Sequence, residues 1–334
     1  MQREKSEKRS HFLEPIISSS PSYSYKVAMC QNTKGSDVNT FISNSYINLY
    51  YEPHYLDLYE EDYFFQREGV FSVERNQIYI SNIGNDCSLF AKCISEYLSN
   101  GFFVLSHWDK YYLRGDDCFH KNHFEEEHII YRIELEKRIV NVCSISFGKV
   151  LFYNIPFRDY FCSNLVFRYS NREFQFVKYN PKSQIGVDLS KIEDDLSDYL
   201  NSTNRFYNGR SSARKYGMEA VEAYIFDLKS LLSGQTDIVS QTHILYDHSV
   251  STKIRMQTLA MKGIIERRLC DEYEHTYSLM NKILYLSDLL PIEYSEQNTT
   301  ELIRTVTAFF SEEKNILKEF LRCISKKNNR RNNG

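Results

Sequence analysis

The sequence has few of the features that mark zinc-binding, secreted or membrane-spanning proteins. Its eight cysteines are scattered, and no two of them form a Cys-x-x-Cys pair or the spacing of a structural zinc site. It has no run of about eighteen consecutive apolar residues, and its charged N-terminus has no apolar core of a secretion signal. We therefore expect a cytoplasmic protein with reduced thiols and no membrane partner.

An excess of one charge is also missing. The 41 basic and 44 acidic residues give a formal net charge of −3, which offers no electrostatic reason to bind nucleic acid. The chain has no Gly-rich phosphate loop, no G-x-S-x-G and no H-E-x-x-H. These absences argue against nucleotide-driven and serine-hydrolase chemistry, and we expect no cofactor and no nucleic-acid partner.

What the chain does contain changes character near Pro181. Before it, β-branched and aromatic runs predict strands at 46–51, 69–73, 78–81, 102–105, 129–133, 138–143, 150–153, 165–169 and 174–179, with one helix at 87–99. After it, amphipathic patterns predict helices at 188–200, 217–232, 238–290 with at least one interruption, and 299–324. We therefore predict an α+β fold: an α+β domain over 1–182, a helical domain over 183–327 and a disordered basic tail over 328–334.

The segment 101–134 is the richest in chemically active side chains. Between its two strand-like runs lies a polar loop, whose candidate groups are Asp116, Asp117, Cys118, His120 and His123. Loops whose ends are fixed by strands often present binding or catalytic groups. An equally weighted alternative is that this loop is only a solvated connection between the two strands.

Three kinds of site can be built from these residue types. A cysteine nucleophile is one, with Cys87 at a helix start or Cys30 upstream as the thiol. A histidine base is another, because the period of two in a strand places Glu126 and His128 on one face. A zinc site is the third, and its candidate ligands are Cys118, His120, His123, Glu126 and His128. The spacing of these residues in the sequence matches no known metal motif, so we predict no metal.

The order helix, strand, loop, strand over this region resembles one family of papain-like proteins. The residues that carry the resemblance are Gly101, Phe103, Val104, Asp109, Tyr111, Tyr112 and Leu113, followed by Tyr131, Arg132, Ile133 and Glu134. The family is that of the butirosin biosynthesis protein H N-terminal domain, which is distantly similar to bacteriocin-leader peptidases. The second half resembles the helical part of relatives from nonribosomal-peptide gene clusters.

The resemblance implies a papain-like fold and a Cys-His pair that moves an acyl group from a carrier-protein thioester onto an amine. The position of the family's histidine falls on Glu126, and the nearest imidazole is His128. No Asp or Asn follows Val142, where the third member of the triad would stand. The expected catalytic residues are Cys30 as nucleophile, His128 as base and Glu126 as its orienting group; the expected substrate-binding residues are Asp109, Tyr111, Tyr112 and His123.

Three functions follow from these observations. The first is an acyltransferase of natural-product biosynthesis, with a carrier protein and an amine or peptide as partners. The second is a degenerate papain-like domain that binds a peptide, a carrier protein or a pathway partner. The third is a helical regulatory protein unrelated to either, in which Cys30 and His128 lie far apart.

Overall fold

The computed structural model describes residues 12–19, 21–45, 48–53, 55–59, 70–76, 86–146, 148–165, 174–183, 186–205, 214–233 and 238–332. The chain divides into two compact units. The first unit comprises residues up to 36 together with 64–184, and the second comprises 37–63 together with residues from 185 onward. The fold is α+β with a helical C-terminal region, as the sequence predicts.

The predicted helix 87–99 and most of the predicted strands in the described chain are present, but the prediction of a single helix before Pro181 is wrong, because further helices form at Pro21–Gln31, Val38–Ser43 and Phe157–Leu165. Up to residue 183 the elements are α1 (Pro21–Gln31), α2 (Val38–Ser43), β1 (Asn48–Glu52), β2 (Tyr55–Tyr59), β3 (Phe71–Asn76), α3 (Cys87–Ser99), β4 (Phe103–Asp109), β5 (Glu125–Glu134), β6 (Ile139–Ser146), β7 (Lys149–Pro156), α4 (Phe157–Leu165) and β8 (Phe174–Tyr179). The later elements are α5 (Leu189–Asn201), β9 (Lys215–Tyr216), α6 (Gly217–Ser233), α7 (Ile238–Met261), α8 (Arg267–Leu289) and α9 (Glu296–Asn332). The predicted strand 78–81 and the greater part of 165–169 lie outside the described residues.

The first unit is built on an antiparallel sheet whose described strands run in the order β3-β8-β4-β5-β6-β7. Helices α3 and α4 contact this sheet and cover the face to which Ile130 points. Helix α3 begins where Asp86 accepts hydrogen bonds from the backbone N–H groups of Ser88 (2.8 Å) and Leu89 (3.2 Å). The apolar core on this face includes Phe90, Ile94, Val104, Trp108, Ile130, Val142, Tyr160 and Phe176.

The opposite face of the sheet is covered by α1 and the segment 12–19. The ring of Phe12 stacks on Tyr131, with 4.6 Å between the ring centroids. The hydroxyl of Tyr25 donates to the backbone oxygen of Glu127 at 2.6 Å and accepts from the backbone N–H of Ile145 at 3.4 Å. Tyr25 therefore bridges β5 and β6 just beyond their last ladder pair and fixes α1 against them.

The second unit combines helices α5 to α9 with the short helix α2 and a sheet in the order β2-β1-β9. The predicted interruption within 238–290 falls between α7 and α8, where Gly263 has a φ of 64° and donates to the oxygen of Ala260. Helix α7 carries an unusual number of buried polar side chains. They are Gln241, Thr242, Asp247, His248, Ser249, Ser251, Thr252, Arg255 and Thr258.

Arg255 ties the segment after α2 to the helices. Its side chain is fully buried, and its guanidinium donates to the backbone oxygen of Ser43 at 2.9 Å and to that of Ser45. Burial lowers the pKa of Arg255 to about 10, which still leaves it charged near neutral pH. These bonds satisfy carbonyl groups at the end of α2, so the segment belongs to the helical unit.

Two boundaries predicted from the sequence need correction. The segment 37–63, which we expected in the first domain, belongs to the second unit. Residues 328–332 of the tail that we expected to be disordered continue α9, and the amide of Asn328 donates to Glu193 of α5 at 2.8 Å; the last two residues of the tail lie outside the described residues. Within the described ranges, no helix is long and apolar enough to cross a membrane.

Replacing Arg255 with Met should destabilise the second unit by about 3 kcal/mol, because two buried carbonyl groups lose their donor. Urea unfolding followed by circular dichroism measures this loss. Arg268→Met is the matched control: this arginine is 62% exposed and pairs with Glu272 on the surface, so its loss should cost no more than about 0.5 kcal/mol. Equal stability of the two variants would show that the buried bonds contribute little.

Candidate functional site

The candidate site lies at the end of β4 and the start of β5, which pair in antiparallel register from Val104 with Ile130 to Asp109 with Glu125. The loop between these strands begins with a single 3-10 turn, Lys110–Tyr112. Asp109 closes the loop, because its Oδ1 accepts from the backbone N–H of Tyr111 (3.0 Å) and of Phe124 (3.2 Å). The loop ends are therefore fixed to the sheet.

Glu126 forms the centre of an inner polar cluster. Its Oε2 accepts from the indole of Trp108 at 3.3 Å and from the hydroxyl of Ser144, and it lies 3.0 Å from the Nζ of Lys110. Glu126 and Lys110 are 8% and 6% exposed, so the ion pair is buried. Burial by itself would lower the pKa of Lys110, but the carboxylate of Glu126 outweighs it, and that pKa lies above its ordinary value. The cluster therefore pairs its charges internally.

His128 lies in the same buried region. Its Nε2 is 2.6 Å from the hydroxyl of Tyr160, and its ring stacks on Trp108 with 4.3 Å between centroids. Burial, helped by the nearby His107, lowers the pKa of His128 well below its usual range. The imidazole is fully buried and neutral at physiological pH, which suits a core residue better than a base that must meet a substrate.

An outer pair lies on the loop, where the imidazole is accessible. The Nδ1 of His123 lies 2.6 Å from the Oδ2 of Asp109. Asp109 is buried, whereas 63% of the His123 side chain is exposed. The His123 ring also stacks on Tyr111, with centroids 4.3 Å apart and planes 16° from parallel. This arrangement resembles the carboxylate and imidazole of a general-base site, in which the acid orients the ring.

The remaining aromatic rings of the loop extend this stack. His120 packs on Tyr111 at 5.2 Å and on Phe119 at 4.0 Å, and Tyr112 packs edge-on against Tyr111 at 5.0 Å. His120 has a positive φ of 54°, and its backbone N–H donates to the oxygen of Tyr111. The predicted substrate-binding residues are therefore neighbours: Tyr111, Tyr112 and His123 pack together on this loop, and Asp109 is buried beneath them.

The structure does not bring Cys30 to His128. On β5, Glu126 and His128 point toward α3 and α4, so Glu127 points to the other face, where Lys26 of α1 lies. Cys30 belongs to α1, one residue before its end, and is fully buried. The sheet therefore separates the expected nucleophile from the expected base.

The candidate zinc ligands are divided in the same way. Glu126 and His128 are buried under α3 and α4, whereas His120 and His123 stack on Tyr111 at the surface. Within the described part of the chain, no group of three or more His, Cys, Asp or Glu side chains is arranged to hold a metal ion.

Several members of the inner cluster were not predicted from the sequence. Lys110 follows Asp109 directly, and Ser144 faces His128 across the ladder of β5 and β6. Tyr160 lies on α4, far from His128 in the sequence, so its contact with His128 could not be predicted from the sequence. The alternation of β5 placed Glu126 and His128 on one face without indicating that this face is buried, and strand pairing decides which residues of β4 and β6 meet Glu126.

A comparison with models of known protein families gives no match, and neither does a comparison with curated proteins. The papain-like resemblance therefore stays a prediction.

Removing the positive partner of the buried ion pair should be costly. Lys110→Met leaves the carboxylate of Glu126 without its counter-charge and should lower the free energy of unfolding by about 3 kcal/mol. The double variant Lys110→Met with Glu126→Gln should recover part of this loss, because it buries no uncompensated charge. A double-mutant cycle by urea unfolding measures the coupling; additive losses would contradict it.

Glu127 should make stability depend on pH near neutrality. Burial raises its pKa from 4.5 to about 7, against the opposing effect of Lys26. Below about pH 7 the folded protein therefore holds a proton that the unfolded chain takes up only near pH 4.5. The stability that Glu127 contributes is therefore fully present below about pH 4.5. It decreases as the pH rises above that value and is lost once the pH has passed about 7.

The measurement for Glu127 compares the wild type with Glu127→Gln by urea unfolding across this pH window. The free energy of unfolding of the wild type, relative to that of Glu127→Gln, should increase on acidification by up to about 1.4 kcal/mol per pH unit. His128 is present in both proteins, so its contribution cancels in this difference. Glu136→Gln, at an exposed position, should show no such trend. A difference that shrinks on acidification would contradict the assignment.

Proposed function

We propose that the first unit is a papain-like domain that has lost its Cys-His pair and binds a peptide, a carrier protein or a pathway partner in bacterial natural-product biosynthesis. The separation of Cys30 from His128 by the sheet is the observation that carries this proposal. In the proposed function, the loop surface formed by Tyr111, Tyr112 and His123 supplies the contact. The protein acts in the cytoplasm, which agrees with its scattered cysteines.

The location of Cys30 argues against a reactive thiol. A thiolate is favoured at the start of a helix, where the dipole is positive, and is disfavoured at the end. Cys30 occupies the last turn of α1 and has no exposed surface. An alkylating reagent or an acyl donor cannot reach the thiol without a local opening of the structure.

The surroundings of Glu126 and His128 point the same way. In the resemblance, the position of Glu126 would hold the histidine of a working triad, and His128 is the nearest imidazole. Here Glu126 is paired with Lys110, and His128 is held between Trp108 and Tyr160. Both side chains are buried, so neither is accessible to a substrate.

The papain-like assignment is supported by the order of elements. Helix α3, strand β4, the loop and strand β5 follow the order of the resemblance, with Asp109, Tyr111 and Tyr112 at the strand end. A group of partly exposed tyrosines and exposed imidazoles on a loop with fixed ends is a suitable contact for another protein, because its rings lose little side-chain entropy on binding.

The binding proposal is tested by titrating the full chain with a peptidyl carrier protein charged with glycine as a thioester, followed by isothermal titration calorimetry. Cys30→Ala should bind with unchanged affinity. Tyr111→Ala and Tyr112→Ala should each weaken binding by about tenfold, as expected for aromatic contacts. Absence of binding by the wild type would refute the proposal.

Thiol alkylation tests the loss of catalysis independently. In native protein treated with iodoacetamide, Cys30 and Cys143 should react more slowly than Cys87, because both are fully buried and burial raises the pKa of Cys143 to about 12. Cys87 is partly exposed and accepts a hydrogen bond from Arg138 at 3.6 Å. Mass spectrometry of the peptides gives the order, and unfolded protein is the control. Preferential labelling of Cys30 would favour the acyltransferase instead.

A further inference from the structure

The Asp109–His123 pair holds an imidazole in one orientation while leaving it accessible. Asp109 uses Oδ1 for the two backbone N–H groups that close the loop and Oδ2 for the Nδ1 of His123. Stacking on Tyr111 fixes the plane of the ring. The ring orientation is thus set by two independent contacts, which is the kind of support that a catalytic side chain needs.

The hydrogen bond to Asp109 also decides which nitrogen can act. An ionised carboxylate only accepts hydrogen bonds, so Nδ1 of His123 must carry the proton. In the neutral ring Nε2 then carries the lone pair. Because 63% of the side chain is exposed, this lone pair can reach water or a ligand. His128 has no comparable freedom, since it is fully buried.

We propose that the Asp109–His123 pair is a general-base site that hydrolyses activated acyl compounds, either oxygen esters or thioesters. This activity goes beyond the proposed binding role and does not depend on it. The class of substrate follows from the strength of the base: a single oriented imidazole suffices for an acyl carbon with a good leaving group, whereas an unactivated amide needs further assistance.

The reaction can be written with the groups of this pair alone. A water molecule attacks the acyl carbon while Nε2 of His123 takes one of its protons, and a C–O bond forms. The tetrahedral intermediate then breaks its bond to the leaving oxygen or sulfur. The imidazolium returns the proton to that leaving group, and Asp109 stabilises the charged ring in between. A carboxylic acid and an alcohol or thiol result.

The test measures hydrolysis of p-nitrophenyl acetate and of S-phenyl thioacetate by the full-length protein. The rate of the wild type should exceed that of His123→Gln by at least about tenfold with one or both probes. Asp109→Asn should show a similar loss, because the asparagine can still accept the two loop N–H bonds but offers His123 a donor in place of Oδ2, which selects the wrong tautomer. Equal rates for wild type and His123→Gln would overturn the proposal.

The matched control is His275→Gln. This histidine is exposed on α8, and its ring has no carboxylate partner among the residues that the structure describes. Its replacement should change the rate by less than about twofold, within the range of a surface substitution. An equal loss in His275→Gln and His123→Gln would show unspecific imidazole chemistry and would also overturn the proposal.

A second measurement separates catalysis from a structural role of Asp109. Nitrogen NMR of the neutral imidazole in the wild type should show His123 with its proton on Nδ1. A proton on Nε2 in the neutral ring would refute the site even if Asp109→Asn fails to fold.

Discussion

The carboxylate of Asp109 is the interaction on which the organisation of the first unit's loop depends. It stands at the end of β4, is 1% exposed, and accepts hydrogen bonds from both ends of the loop and from His123. Burying a carboxylate is costly unless it accepts hydrogen bonds, and the closed loop supplies them to both oxygens of Asp109. The same closure holds His123 and Tyr111 next to each other.

The two consecutive residues at the end of β4, Asp109 and Lys110, point in different directions. Asp109 turns toward the loop, and Lys110 turns inward to Glu126. The inner charges neutralise each other under α3 and α4, which makes that cluster rigid and chemically silent. The outer pair keeps one partner buried and one exposed. The difference in exposure, more than the types of residue, separates the structural group from the one suited to chemistry.

The second unit shows a comparable dependence on buried polar groups. Glu313 is fully buried and accepts from the hydroxyls of Tyr273 (2.7 Å) and Tyr199 (3.2 Å), which joins α9 to α8 and α5. Burial beside this carboxylate raises the pKa of both tyrosines well above the ordinary value, so they remain donors. Arg255 fixes the segment after α2 in the same unit. The helices are thus held by specific donors and acceptors as well as by apolar contact.

The amino-acid sequence by itself determined the local elements. The alternation of β5 placed Glu126 and His128 on one face, and the caps and apolar stripe of α3 predicted its bounds, because these properties depend on neighbours in the chain. Only the tertiary structure decided that α1 covers the other face from His128, that Lys110 and Ser144 meet Glu126, and that 37–63 joins the helical unit. Those outcomes depend on strand pairing and on buried hydrogen bonds between residues far apart in sequence. Local periodicity cannot predict which distant residue will form a hydrogen bond with a given buried group.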